Sequence, residues 1–141
     1  MTEHFDLLRL ADGNRSTHFQ LPVTPELSTP FDFLYGGSGI AASIEAAERV
    51  TERPLMWITT QFLTNTAPGT VVNVDVATRV AGRATSQVHV NASVGGELML
   101  SSLCAHTSRP EGKRETFLTM PSVPPPEDCG PLAEPFGAVP N

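Results

Sequence analysis

The sequence predicts an α+β domain in which one long helix is wrapped by a curved antiparallel β-sheet. Three observations carry this reading. Residues 40–52 contain no glycine or proline, are dense in alanine, and follow closely on Gly36-Gly37. From Leu55 onward the apolar period changes to two. Gly95-Gly96 then separates an alternating run from a mostly apolar one by the two residues that a tight hairpin needs.

Taken in order, residues 5–10 and 17–21 are short mixed runs on either side of the turn-rich Ala11-Asp12-Gly13-Asn14, which reads as a weak hairpin. Pro22, Pro25 and Pro30 make residues 22–34 a loop with one short helical turn. The helix is expected over residues 38–52. Ala41, Ala42, Ala46 and Ala47 favour it, and Ser38 is the candidate N-cap. Ile40, Ile44 and Ala47 share one face at helical spacing, so they are the expected core contacts. Glu45 and Arg49 form an i, i+4 pair on another face. Pro54 closes the helix.

Residues 55–63 are rich in β-branched and aromatic side chains, and Ala67-Pro68-Gly69 is a turn. Val72, Val74 and Val76 alternate with polar or small neighbours; so do Val88, Val90, Ala92 and Val94 beyond a turn at Ala81-Gly82-Arg83. A last, mostly apolar strand over residues 98–105 is expected to be central. The alternation indicates antiparallel strands with one face on a core and one in solvent. The expected order is an N-terminal hairpin, one helix and a meander of four strands. The division is a domain over residues 1–120 and a proline-rich linker or tail over 121–141, which holds prolines 121, 124, 125, 126, 131, 135 and 140.

The 141 residues fit one domain. An apolar content of 40% supports a core rather than disorder. A formal charge of -6 gives no basic footprint for nucleic acid. Met1-Thr2-Glu3-His4 shows no secretory leader, and no apolar run approaches the roughly 20 residues that span a bilayer. Cys104 and Cys129 lie in unlike settings and lack histidines at ligand spacing. Neither a disulfide, a metal site nor any other cofactor is expected, and the expected location is the cytoplasm.

The stretch Phe33-Leu34-Tyr35-Gly36-Gly37-Ser38-Gly39-Ile40-Ala41-Ala42-Ser43-Ile44-Glu45-Ala46-Ala47 resembles the F-G-G-x-x-x-A-x-x-x-A-A helix start of the type II, thioesterase-like group of acyl-CoA thioesterases. Gln61-Phe62-Leu63-Thr64 resembles the group's Y-F-L-R-P strand end, with Thr64 where arginine is usual and the proline delayed to Pro68. Arg79-Val80-Ala81-Gly82-Arg83-Ala84-Thr85 resembles its R-x-G-R-S turn. The resemblance spans roughly residues 30–106. It implies a hot-dog fold, the N-terminal half of a double hot-dog unit, an acyl-CoA substrate, and hydrolysis to free acid and CoA in lipid metabolism. The partner it implies is a second hot-dog half, or a second copy in a homodimer. The chain is then either a natural single half or a truncated one.

Thioester hydrolysis needs donors for the developing oxyanion, an activated water or attacking carboxylate, and an apolar slot. Unpaired N–H groups at a helix start supply donors, so the backbone of Gly37 is the candidate oxyanion site. Gly36, Tyr35, Ser38 and Asn65 are candidate substrate contacts, and Gln61 and Asn65 are candidates to orient water. In single-half hot-dog thioesterases the acid stands seven residues after the second glycine, and here that position is Ile44. Glu45 is one step later and is the remaining catalytic candidate. In two-half members the resemblance places the acting Asp, Ser or Thr, and Gln in the second half. Pseudo-symmetry would set Ile44, about Leu55 and about Cys104 in their places here, and none keeps the chemistry. The chain therefore reads as the half that completes a site. Asp75, His89 and Asn91 read as a solvated strand face, and His106 as a rim residue. A non-catalytic module that binds acyl chains or a partner half is the alternative. A hydratase-type hot-dog is a third reading, but the Asp/His pair that such enzymes place in a loop before the helix is not evident here.

Overall fold

The computed structural model describes residues 8–110, 112 and 115–129. Residues 1–110 form one compact unit and residues 111–141 a second. The first unit holds all the regular strands and the long helix. Strands β1 (Ala11–Asp12) and β2 (His18–Pro22) precede helix α1 (Gly36–Thr51). Strands β3 (Leu55–Phe62), β4 (Val71–Ala81), β5 (Thr85–Val94) and β6 (Glu97–Thr107) follow it. All six strands pair antiparallel in the order β1-β2-β4-β5-β6-β3. One helix against such a sheet is the hot-dog arrangement.

Helix α1 begins at Gly36, two residues before the expected start, with Tyr35 as its N-cap and no side-chain cap. Ser38 is thus already inside the helix. Its hydroxyl donates instead to the Leu27 carbonyl at 3.2 Å, in the short 3-10 turn Pro25–Leu27. The helix ends where Glu52 turns left-handed, φ 53°, with its N–H on the Glu48 carbonyl. The Glu48 carboxylate then accepts the Leu55 N–H at 2.8 Å, which ties the helix end to the start of β3.

The buried stripe of α1 is Gly39, Ala42, Ser43, Ala46 and Ala47. Ile40 and Ile44, expected to face the core, are only half-buried on the helix flank. The smaller residues won that face because they let the helix axis approach the sheet closely; bulkier isoleucines would hold it off. On the sheet, Phe19, Val74, Ala92 and Leu100 line up through successive strand registers, as do Val76, Val90, Ser102 and Thr60. These inward residues build the core with Leu21, Val72, Val88 and Cys104.

Two expectations about topology are corrected. The N-terminal hairpin exists, but its described first arm is Ala11–Asp12, inside the stretch read as the turn; residues 1–7 lie outside the described residues. The last four strands are not a simple meander. Only β4, β5 and β6 are; β3 pairs with β6, and β4 pairs with β2. Residues 63–70 make the crossing past three strand spacings, about 14 Å at ~4.8 Å each. About 26 Å of reach at ~3.3 Å per residue is ample for it. Strand β6 is central, as its apolar run indicates, and Gly95 and Gly96 both take positive φ in the two-residue turn before it.

A bulge between Ala92 and Ser93 leaves Met99 as the extra residue of β6, because Leu100 faces Ala92 while Leu98 faces Ser93. The Met99 carbonyl accepts the N–H groups of Leu63 and Thr64, at 2.9 and 3.2 Å. His106 is fully buried rather than at the rim, with Nδ1 3.1 Å from the Arg53 carbonyl. It lies opposite Ser86, whose hydroxyl accepts from Arg53 at 2.9 Å.

In the second unit the described residues carry one 3-10 turn, Pro126–Asp128. Phe117, Leu118, Met120 and Val123 are exposed. The remainder of the proline-rich segment, residues 130–141, lies outside the described residues.

Candidate functional site

A pocket of about 370 Å³ opens at the N-terminal end of α1. Phe33 and Leu34 reach it from the loop before the helix, and Gly36 and Gly39 from the first helical turn. Phe62, Leu63, Thr64 and Asn65 come from the end of β3, and Met99 and Leu100 from β6. Its walls are apolar; Thr64 and Asn65 are the polar side chains in the lining. Leu34, Met99 and Leu100 are buried, while Phe62 is half-exposed at the mouth.

The glycines here have a steric reason. A side chain on Gly36 would meet the Phe62 ring at 3.1 Å, and one on Gly39 would meet Leu100 Cδ2 at 2.7 Å. On Gly37 it would strike the ring of Tyr35. The N–H groups of Gly36 and Gly37 have no acceptor among the described residues, whereas those of Ser38 and Gly39 both turn to the Tyr35 carbonyl. A donor at the positive end of a helix dipole, that of Gly36, therefore lines an apolar pocket, with that of Gly37 next along the helix start, an arrangement suited to a carbonyl oxygen gaining negative charge.

The structure brings together only part of the residue set drawn from the sequence. Gly36 and Asn65 line the pocket, and Gly37, Tyr35 and Ser38 adjoin it on the same helix start. Glu45 lies more than two turns further along α1. There it is paired with Arg49, whose guanidinium also donates to the Leu10 carbonyl at 3.0 Å and lies over the Phe19 ring. Gln61 pairs in register with Ser101, one residue out of phase with the inward Phe62, and so belongs to the outer face of the sheet. No carboxylate is among the residues lining the pocket. Sequence reasoning passed over Phe62, Met99 and Leu100. The strand parity that turns Phe62 inward was available; the bulge that exposes Met99 to the pocket was not.

The outer face carries a separate polar network. His89 Nε2 lies 2.8 Å from Ser101 Oγ, which resembles a serine–histidine pair in distance alone. Arg79 stands 3.3 Å from His89 Nδ1 and can only donate, so Nδ1 accepts and Nε2–H donates to the serine. The serine proton goes on to Asn91 Oδ1 at 3.0 Å. The chain of donors runs away from the imidazole, so the histidine does not activate the hydroxyl. Asp75 is held likewise, by Arg15 at 3.0 Å and His18 at 2.9 Å. Cys104 is no better as a nucleophile: burial pushes its thiol up to about 11. Among the described residues no three His, Cys, Asp or Glu side chains converge as a metal site, and no helix is long and apolar enough to cross a membrane.

The family model of the acyl-CoA thioesterase N-terminal domain matches residues 24–108, a span that holds the helix start and every pocket residue. The chain belongs to this family. Among solved structures, it is similar to a candidate thioesterase from Novosphingobium aromaticivorans, with 26% identity and a TM-score of 0.76 over 85% of this chain and 48% of that one. The tesB protein of Mycobacterium avium subs paratuberculosis gives 22% identity and 0.70 over 85% and 46%. The smu.793 protein of Streptococcus mutans, solved with acetyl CoA, gives 14% identity and 0.68 over 82% and 98%, a likeness of fold. No curated protein sequence matches. This member of the thioesterase N-terminal domain family spans about half the length of the first two relatives.

Proposed function

We propose that the chain is one half of a double hot-dog acyl-CoA thioesterase, supplying the acyl slot and the oxyanion donors. The observation that carries this is the apolar pocket lined by Gly36, whose N–H, like that of the adjoining Gly37, has no acceptor among the described residues. In this reading the acyl chain enters between Phe62 and the first turn of α1, and the thioester oxygen meets the Gly37 N–H. Tyr35, Ser38 and Asn65 contact the rest of the substrate. That smu.793 was solved with acetyl CoA supports a CoA thioester as the ligand class.

The same reading places the catalytic carboxylate or water-activating group on a second half, or on a second copy. The helix position where an acid is needed holds Ile44, and Glu45 is engaged by Arg49. The edge strand β3, with exposed Met56 and Trp57, is the proposed contact with that partner. The compact unit ending at residue 110 is then the hot-dog domain, ten residues short of the expected boundary at 120, and 121–141 a proline-rich linker. Two free cysteines suit the reducing cytoplasm as its setting.

A second reading, a non-catalytic module that binds acyl chains or a partner half, is favoured by the lack of a carboxylate in the pocket lining. One assay separates the two. The purified chain, with its mass measured on the same sample, is tested for binding and for CoA release across straight-chain acyl-CoA substrates. Binding with turnover in an associated species supports the enzyme. Binding without turnover in any associated form supports the module. Failure to bind rejects both.

A further inference from the structure

We propose that Leu100 is the depth stop of the pocket and sets the longest straight acyl chain that the protein accepts. This rests on reading the pocket as an acyl slot. The residues lining the pocket end, on both strands, at one register layer: Phe62 of β3 stands opposite Leu100 of β6. Within this layer Phe62, on the edge strand, is 54% exposed and forms the outer side of the pocket, whereas Leu100 is 1% exposed and forms its inner wall. The next inward layer is Thr60 opposite Ser102, and neither lines the pocket. Their hydroxyls lie 2.8 Å apart, and Ser102 is fully buried.

The Leu100 side chain thus separates an apolar slot from a small polar layer behind it. A methylene chain pushed past this point would have to displace the isobutyl group and would then lie against two hydroxyls, paired only with each other among the described residues, instead of against apolar side chains. Gly39 sets the position of the stop. Leu100 Cδ2 rests where a side chain on residue 39 would begin, 2.7 Å from the Cβ position, so any residue larger than glycine drives Leu100 out of its seat.

The test is calorimetric titration of the full chain with straight-chain acyl-CoA from butanoyl to hexadecanoyl, read as binding so that it does not depend on turnover. For the wild type, affinity rises by about fourfold per added methylene up to a limit and then stays level or falls. Leu100→Ala moves the limit to longer chains, so methylenes that add nothing in the wild type again add about fourfold each. Leu100→Val, which keeps more of the core volume, moves it in the same direction by less and covers the case in which the alanine variant fails to fold. Gly39→Ala moves it to shorter chains. Phe62→Ala, at the mouth, weakens all chain lengths alike without moving the limit. A wild type that binds none of the series overturns the acyl-slot reading itself. A wild type with a clear limit that stays fixed in folded Leu100 variants overturns the depth stop and leaves the slot intact.

Discussion

The ring of Tyr35 occupies the space into which a side chain on Gly37 would project. The N-cap residue and the second helical residue are therefore fitted to each other, at the stretch whose Gly36 and Gly37 N–H groups have no acceptor among the described residues. Gly37→Val forces the Tyr35 ring aside and sets a branched side chain next to the donors. We expect turnover by the assembled enzyme to fall about 10²-fold, the scale of losing an oxyanion donor. Gly37→Ala should produce a smaller loss in the same direction. Initial rates on a medium-chain acyl-CoA, with circular dichroism to verify folding, check this. Unchanged rates in both variants would remove Gly37 from the site.

Glu45→Gln should leave turnover within about twofold, because the carboxylate is committed to Arg49 rather than to the pocket. Its stability effect should be about 0.3–0.5 kcal/mol, the scale of an i, i+4 ion pair that is not deeply buried. Paired kinetics and urea melts make the comparison. If the glutamine variant instead loses most of its activity, Glu45 is the acid, and the helix position assigned to Ile44 is wrong by one residue.

Trp57, the single tryptophan, sits on edge strand β3 and is 44% exposed. If this edge carries the partner contact, the associated state should show blue-shifted emission relative to the diluted chain. Trp57→Lys should then yield a monomeric mass by light scattering at micromolar concentration, since an edge charge opposes strand addition. A wild-type monomer under the same conditions would reject association through β3.

Cys104 gives a pH dependence with a definite sign. Burial raises its thiol from 9.0 to about 11 in the folded state, so the native protein holds a proton that the unfolded chain has lost. Stability from this group is complete below about pH 9 and declines as the pH rises toward about 11. Cys104→Ala should flatten that part of the pH–stability curve. At neutral pH the exposed Cys129 should react with a thiol reagent while Cys104 stays unmodified until the chain unfolds.

The fold class was legible because each of its signals is local. Alanine density marks α1, alternation marks β4 and β5, and Gly95-Gly96 fixes the tightest turn. The strand order was not legible, since nothing in residues 55–63 says whether β3 will pair with the next strand or cross to β6. The helix face was misread for a related reason. Ile40 and Ile44 have the right spacing for a core stripe, but close contact with a sheet selects Gly39, Ala42, Ser43 and Ala46. Of the candidate site, Gly36, Gly37 and Asn65 could be found from the chain because glycine pairs and strand ends are visible in it. Leu100 and Met99 could not, because what brings them to the pocket is a bulge and a pairing between distant strands.

That crossover has a kinetic consequence. The β4–β5–β6 meander closes through short turns, whereas β3 reaches β6 only across a sequence separation such as the 42 residues between Thr60 and Ser102. Contacts of that span form late, after local hairpins have removed most of the loop-closure entropy. Strand β3, like β2, whose pairing with β4 spans the 57 residues between His18 and Asp75, should thus dock after the meander, and as an edge strand it should detach readily as a unit of low local stability. Its detachment dismantles the pocket mouth at Phe62 together with the edge at Trp57 proposed for the partner. Amide hydrogens of β3 should accordingly exchange faster than those of β5, and occupation of the pocket should slow the exchange of β3 more than that of any other strand.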